Sequence, residues 1–169
     1  RIVDENNHDV KPGKTGELWI KGPMVIPGYW KNVKASQESF DNGYWKSGDI
    51  TSQDENGFIR IHDRKKDMVN RGGYKIFSAE IENILVLMDE IQEAALVPYP
   101  CTILGERSHA FVFSSSPTLE PNQIRSRLSE KVADYKVPDK ITITKEPLPR
   151  NVNGKITKAP LRDIANIEI

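Results

Sequence analysis

Asp63-Arg64-Lys65-Lys66-Asp67-Met68-Val69-Asn70-Arg71-Gly72-Gly73-Tyr74-Lys75-Ile76, continued by Phe77-Ser78-Ala79-Glu80-Ile81-Glu82, is the stretch on which the chain divides. The sequence before it is β-rich, and the sequence after it has the pattern of a small α+β unit. Five charged residues, 63–67, give way to a double glycine, which lets a ligand or another backbone approach where a Cβ would obstruct it. Read from the residues alone, this is a charged linker leading into a hairpin. Residues 68–70 would then pair with 74–76 across Arg71-Gly72-Gly73.

Upstream, Gly16-Glu17-Leu18-Trp19-Ile20-Lys21-Gly22 alternates after Glu17, and Gly22-Pro23 punctuates it. Residues 33–40 form a short helix or an extended arm. Asn42-Gly43 and Asn56-Gly57 are turn signals flanking Tyr44-Trp45 and Asp49-Ile50-Thr51, and residues 58–62 alternate as a half-buried strand. Such strands need partners beyond residues 1–62, and open sheet edges predict self-association between copies.

Downstream, Ser78 is the expected N-cap of a helix whose Ile81, Ile84, Leu85 and Met88 make one apolar stripe. Residues 94–97 and 110–113 read as strands, separated by a loop through Pro98, Pro100 and Gly105. A helix over 121–134 would turn Ile124, Leu128 and Val132 inward. Residues 141–144 read as a third strand and 158–165 as a terminal helix. The expected class is α+β, with a compact second unit of about 100 residues.

With 169 residues the chain can bury one good core, or one core and part of another. Lys+Arg and Asp+Glu number 24 each, a net charge of zero that argues against a chain coating nucleic acid or anionic membrane. No stretch approaches the roughly 20 apolar residues of a membrane span. Cys101 is the single cysteine, which excludes an intrachain disulfide and fits a reducing, cytoplasmic setting. His8, His62 and His109 lack metal-ligand spacing, so no metal site is expected. The opening at Arg1, with neither initiator methionine nor secretory apolar core, leads us to expect a piece of a longer protein.

Three ordered segments carry a family resemblance: Tyr44-Trp45-Lys46-Ser47-Gly48-Asp49, the 63–82 stretch, and Pro149-Arg150-Asn151-Val152-Asn153-Gly154-Lys155. Together they resemble the last part of the adenylate-forming enzymes, which include acyl-CoA synthetases, aryl-acid AMP ligases, peptide-synthetase adenylation domains and luciferases. The resemblance covers nearly the whole chain. It implies that residues 1–62 end a larger, barrel-containing AMP-binding domain, that 63–67 form a hinge, and that 68–169 form a mobile C-terminal lid domain.

The resemblance also assigns roles. Asp49 resembles the ribose-binding aspartate; as bare sequence it reads as an aspartate satisfying its own turn. Lys46-Ser47 stand where the family usually has Arg-Thr, preserving a cation and a hydroxyl. Arg64 resembles the arginine that contacts the nucleotide near ribose and phosphate, with Asp63 where Gly is usual. Lys66 aligns with the hinge residue, although by itself it is ordinary surface charge. Gly72 and Gly73 would line the pantetheine tunnel in the second half-reaction. Lys75 is placed with them at the pantetheine tunnel, as a contact to phosphate or to the hairpin's own surroundings, although by itself it is a residue of a solvated face. Lys155, otherwise an exposed amine on a hairpin turn, resembles the lysine that bridges the attacking carboxylate and the α-phosphate.

The activity so implied is adenylation of a carboxylic acid by ATP, with Mg2+ on the pyrophosphate side, followed by acyl transfer to coenzyme A. Transfer to the phosphopantetheine of a carrier protein, as in the aryl-acid AMP ligases, is the alternative. The glycine-rich phosphate loop and the acyl pocket belong to the missing N-terminal domain, so the chain alone is expected to be inactive. A non-catalytic nucleotide-contacting or docking module is the reading from another class.

Overall fold

The structure is a computed structural model that describes residues 1–167. Its chain forms two compact units, the first ending at Lys66 and the second beginning at Asp67.

The first unit is an antiparallel sheet of β1 (Ile2–Val3), β2 (Thr15–Ile20), β3 (Phe40–Asp41), β4 (Tyr44–Gln53) and β5 (Ile59–Arg64), with the helix α1 (Val33–Ser39) leading into β3. The ten-residue β4 is its axis and pairs with β2, β3 and β5. The Asn42-Gly43 turn joins β3 to β4 with both residues at positive φ, as a two-residue hairpin turn requires. Val3, Trp19 and Ile50 are buried. β5 differs from the half-buried strand expected over 58–62. It begins at Ile59, and Phe58, Ile59 and Ile61 are 74%, 51% and 64% exposed, so the alternation exists but its apolar face lies in solvent.

In the second unit, a hairpin of β6 (Val69–Arg71) and β7 (Tyr74–Ile76) precedes the helix α2 (Ser78–Leu85). The strands β8 (Glu93–Cys101) and β9 (Gly105–Phe113) follow, then α3 (Pro121–Ser129), a 3-10 turn at Asp134–Lys136, β10 (Lys140–Thr144) and α4 (Lys158–Ile167). β9 is central: β8 runs antiparallel to it, β10 lies parallel to it, and β6 meets it at Arg71 opposite Gly105. The sheet is buried on both faces. Ala94 and Leu96 face α2 and α3 through Ile81, Leu85, Ile124 and Leu128. The alternate residues Ala95, Val97 and Tyr99 join Phe111, Leu148 and, from α4, Leu161 and Ala165.

Local readings are corrected in four places. The hairpin turns over two residues, Gly72 and Gly73, because Arg71 pairs with Tyr74. The N-cap of α2 is Phe77, whose backbone is extended (ψ 118°) while Ser78 is already helical, and the Ser78 hydroxyl accepts a hydrogen bond from Lys158 Nζ at 2.7 Å. β8 runs through Pro98 and Pro100, which an edge strand tolerates because it pairs on one side only. The α3 helix ends at Ser129, short of residue 134, and Ala133 is extended (ψ 148°) ahead of the 3-10 turn. At the start of α3, Glu120 and Gln123 form a reciprocal capping box ahead of Pro121.

Candidate functional site

The first unit brings Asp49 and Arg64 together. They face each other across β4 and β5, and Arg64 Nη1 donates to Asp49 Oδ1 at 2.6 Å. Asp49 lies within a strand and not at the end of a turn. Gly48 before it takes φ +73°, the Asp49 N–H donates to Ser47 Oγ at 3.0 Å, and the Lys65 N–H donates to Gly48 O at 2.7 Å. A register shift between Ile50 and Thr51 re-aims this end of the pair. Lys46 packs its ammonium over the Trp19 ring at 5.2 Å. The side chains of Asp49 and Arg64 are 22% and 54% exposed, so their ion pair is worth at most about 1 kcal/mol and opens at little cost. A carboxylate with a guanidinium beside it can accept from a diol and donate to an oxyanion.

Lys66 is exposed between two tethered neighbours. Lys65 Nζ donates to Glu17 Oε2 at 2.9 Å, within the first unit. Asp67 accepts from the Arg162 guanidinium of α4, within the second. Each unit therefore holds the residue on its own side of Lys66.

The glycine pair is set by backbone conformation. Gly72 and Gly73 take φ +59° and +88°, both left-handed. A Cβ on Gly73 would meet nothing within 4 Å, whereas one on Gly72 would come to 3.3 Å from Leu104 Cδ2. The hairpin is fastened at its turn. The Gly72 N–H donates to Leu104 O at 2.8 Å, the Arg71 guanidinium donates to Asp139 at 3.1 and 3.4 Å, and Tyr74 stacks on Tyr135 with ring centres 4.7 Å apart. Lys75 is half-buried opposite Asn70.

Lys155 is exposed on the loop between β10 and α4. Its N–H and that of Asn153 each donate to Asn151 Oδ1 at 3.0 Å, Asn151 N donates to Lys155 O at 2.9 Å, and Gly154 takes φ +77°. The loop is gripped from outside by Glu93, the first residue of β8. One Glu93 carboxylate oxygen takes the Leu148 N–H at 2.8 Å and the other takes the Arg150 guanidinium. Burial alone would push the Glu93 carboxyl up, but the bonds from Arg150 and Leu148 outweigh it and hold the group below the usual carboxylate range. Arg150 and Asn151 lie inside the quoted Pro149–Lys155 motif, so their importance was within reach of the sequence. Glu93 is separated from them by more than fifty residues, and no local signal marks it.

Among the described residues, no group of three or more His, Cys, Asp or Glu side chains is arranged to hold a metal ion, and no helix is long and apolar enough to cross a membrane. Asp49 and Arg64 thus stand together in the first unit. Gly72, Gly73 and Lys75 stand together on the hairpin of the second, and Lys155 stands on a separately anchored loop.

Residues 80–155 match the family described as the AMP-binding enzyme C-terminal domain. A long-chain-fatty-acid–CoA ligase of Yersinia pestis is 37% identical over 163 residues, covering 96% of this chain and 29% of the relative. A 2,3-dihydroxybenzoate–AMP ligase of Bacillus subtilis is 36% identical over 165 residues, with 96% and 30% covered. The solved structure of ATP-bound MatB from Rhodopseudomonas palustris superposes with a TM-score of 0.86 at 31% identity, covering 97% of this chain and 33% of that one. The chain therefore spans less than a third of the length of the curated relatives it matches.

Proposed function

This chain belongs to the adenylate-forming enzymes and carries their C-terminal domain, and on that premise we propose that it is the C-terminal part of an AMP-forming acid–thiol ligase. The enzyme joins a carboxylic acid to the α-phosphate of ATP, releasing pyrophosphate, and then passes the acyl group to a thiol. The missing N-terminal domain supplies the phosphate loop and the acyl pocket, and Mg2+ enters with the ATP on its pyrophosphate side. The setting we assign is cytoplasmic.

The observation that carries the proposal is the clustering of the motif residues into separately built stations. Asp49 accepts the ribose hydroxyls while Arg64, already drawn to it at 2.6 Å, reaches the neighbouring phosphate. Lys155 brings a mobile ammonium on a flexible stem to the oxygens that gain charge as the carboxylate attacks phosphorus. The bond that forms is carboxylate oxygen to α-phosphorus, and the bond that breaks is α-phosphorus to the pyrophosphate oxygen. Rotation about Lys66, flanked by residues tethered in opposite directions, then replaces the Lys155 loop by the Gly72-Gly73 hairpin, which lines the path of the pantetheine arm. Lys75 contacts phosphate from the same hairpin.

Coenzyme A is the acceptor we favour. The resemblance to a 2,3-dihydroxybenzoate–AMP ligase supports a second reading, in which a carrier protein's phosphopantetheine takes the acyl group.

The test is ATP–pyrophosphate exchange by the full-length protein across fatty, aryl and amino acids, comparing wild type with Lys155→Ala. Acid-dependent exchange falling on the order of 10²-fold or more in the variant is expected. Thioester formation from preformed adenylate should suffer far less. Exchange untouched by the substitution would overturn the assignment of Lys155, and no exchange with any acid would overturn the ligase reading.

A further inference from the structure

We propose that Glu93 and Arg150 are positioning residues that clamp the Lys155 loop in its adenylation-competent form. The inference rests on Lys155 acting in adenylation, as proposed above.

A lysine reaches its target on a flexible four-carbon stem, so accuracy at its Nζ depends on how firmly its backbone is held. The loop leaves β10 and reaches α4 without joining the sheet, and its attachments are side chains. Glu93 lies at the start of β8, its side chain 14% exposed. Its two oxygens take different parts of the loop, the Leu148 N–H at 2.8 Å and the Arg150 guanidinium. Arg150 spends its other amino group on the carbonyl of Gly154, the peptide that precedes Lys155. Two side chains thus connect the sheet to the reacting residue's own peptide bond. Within the loop, Asn151 Oδ1 accepts the Lys155 N–H. Beyond it, Lys158 Nζ bonds Glu82 Oε1 at 2.6 Å and Ser78 Oγ at 2.7 Å, so the far end of the loop is fixed to α2.

A mostly buried carboxylate is stable only when its oxygens are satisfied, so the fold sets Glu93 in this place at a desolvation cost that Arg150 and the Leu148 N–H offset. The bridge through Arg150 to Gly154 orients the Lys155 peptide.

The experiment compares Glu93→Gln, Arg150→Lys and Lys155→Ala in the full-length protein, with the acid that supports exchange. Glutamine retains one acceptor oxygen and loses the second. Lysine retains the charge but cannot reach Glu93 and Gly154 at once. Both clamp variants should lower the kcat of ATP–pyrophosphate exchange on the order of 10- to 100-fold, as a displaced catalytic group does. The KM for ATP and thioester formation from synthetic acyl-adenylate should stay at wild-type values, and deuterium exchange at the Lys155 amide should accelerate.

Arg150 is 42% exposed, so its lysine variant carries the test should Glu93→Gln fail to fold. Wild-type exchange rates in both clamp variants, with Lys155→Ala inactive, would overturn the clamp and leave the ligase reading standing. Equal losses in both half-reactions would also overturn it, marking Glu93 as a purely structural residue. Wild-type exchange in Lys155→Ala would overturn the role of Lys155 on which the clamp rests.

Discussion

Gly73→Ala separates two reasons for a double glycine, backbone conformation and room for a ligand. At Gly73 the added Cβ meets nothing within 4 Å, yet φ is +88°, so the cost to the protein alone is conformational. Placing an L-residue with a Cβ in the left-handed region costs about 1 to 2 kcal/mol. Gly72→Ala carries the same penalty at φ +59°. Its Cβ also comes to 3.3 Å from Leu104 Cδ2, the far end of a side chain that can give by a few tenths of an ångström. For a unit of about 100 residues, 1 kcal/mol lowers Tm by roughly 4–8 °C. The assay can be confined to the correct unit because Trp19, Trp30 and Trp45 all precede the division at Lys66. Tryptophan fluorescence therefore follows the first unit, and deuterium exchange at Val69 and Ile76, both buried, follows the second. Gly73→Ala should shift the second transition and leave the first in place. Gly73→Asn should recover most of the loss, since asparagine tolerates the left-handed region. In the full-length protein the larger asparagine should impair thioester formation more than alanine does, because there the constraint is space. Asparagine destabilising the hairpin as much as alanine would refute the conformational argument, and alanine with wild-type stability would refute the turn geometry.

Lys66→Pro fixes φ at the proposed pivot. The full-length variant should retain one half-reaction near the wild-type rate and lose overall turnover, and full turnover would exclude Lys66 as the pivot. Glu90 is held below the ordinary carboxylate range by its hydrogen bonds from Arg127 and from its own backbone. Its folded-state pKa lies below its unfolded value, so the stabilisation is present above about pH 4.3 and is lost as pH falls through the folded value. The stability gap between wild type and Arg127→Ala, measured by urea unfolding against pH, should thus be full near neutrality and close in acid. A gap independent of pH would show that the pair contributes only packing.

The sheet core could be read from the sequence wherever alternation and burial agree. Residues 94–97 proved to lie in the first half of β8 and 110–113 to be the last four residues of β9, and the stripe Ile81, Leu85 and Met88 faces the core as its spacing requires. Boundaries failed where a tertiary partner overrode a local rule. Ser78 has the chemistry of an N-cap, but Lys158 from α4 claims its hydroxyl. Pro98 and Pro100 look like strand breakers until β8 is known to be an edge, which is a property of the sheet and not of the segment. The exposed Ile59 and Ile61 show the converse, a pattern that predicts a buried face without supplying what would bury it.

The candidate site divides along the same line. Gly72 and Gly73 are fixed by their backbone angles, and Asp49, Arg64 and Lys155, on the proposed reading, by what they touch, so each leaves a mark in its own short motif. Glu93 and Glu82 hold the Lys155 loop from outside, and any acceptor of the right reach on β8 or α2 could do so. Glu82 falls inside the 63–82 stretch, but nothing in the sequence around Glu93 distinguishes it from a solvated face of charge. The supporting carboxylates become visible only when β8 is seen to begin beneath the loop that follows β10. Variation at Glu93 should accordingly track variation at Arg150, its partner in the fold, and not variation at its neighbours in β8.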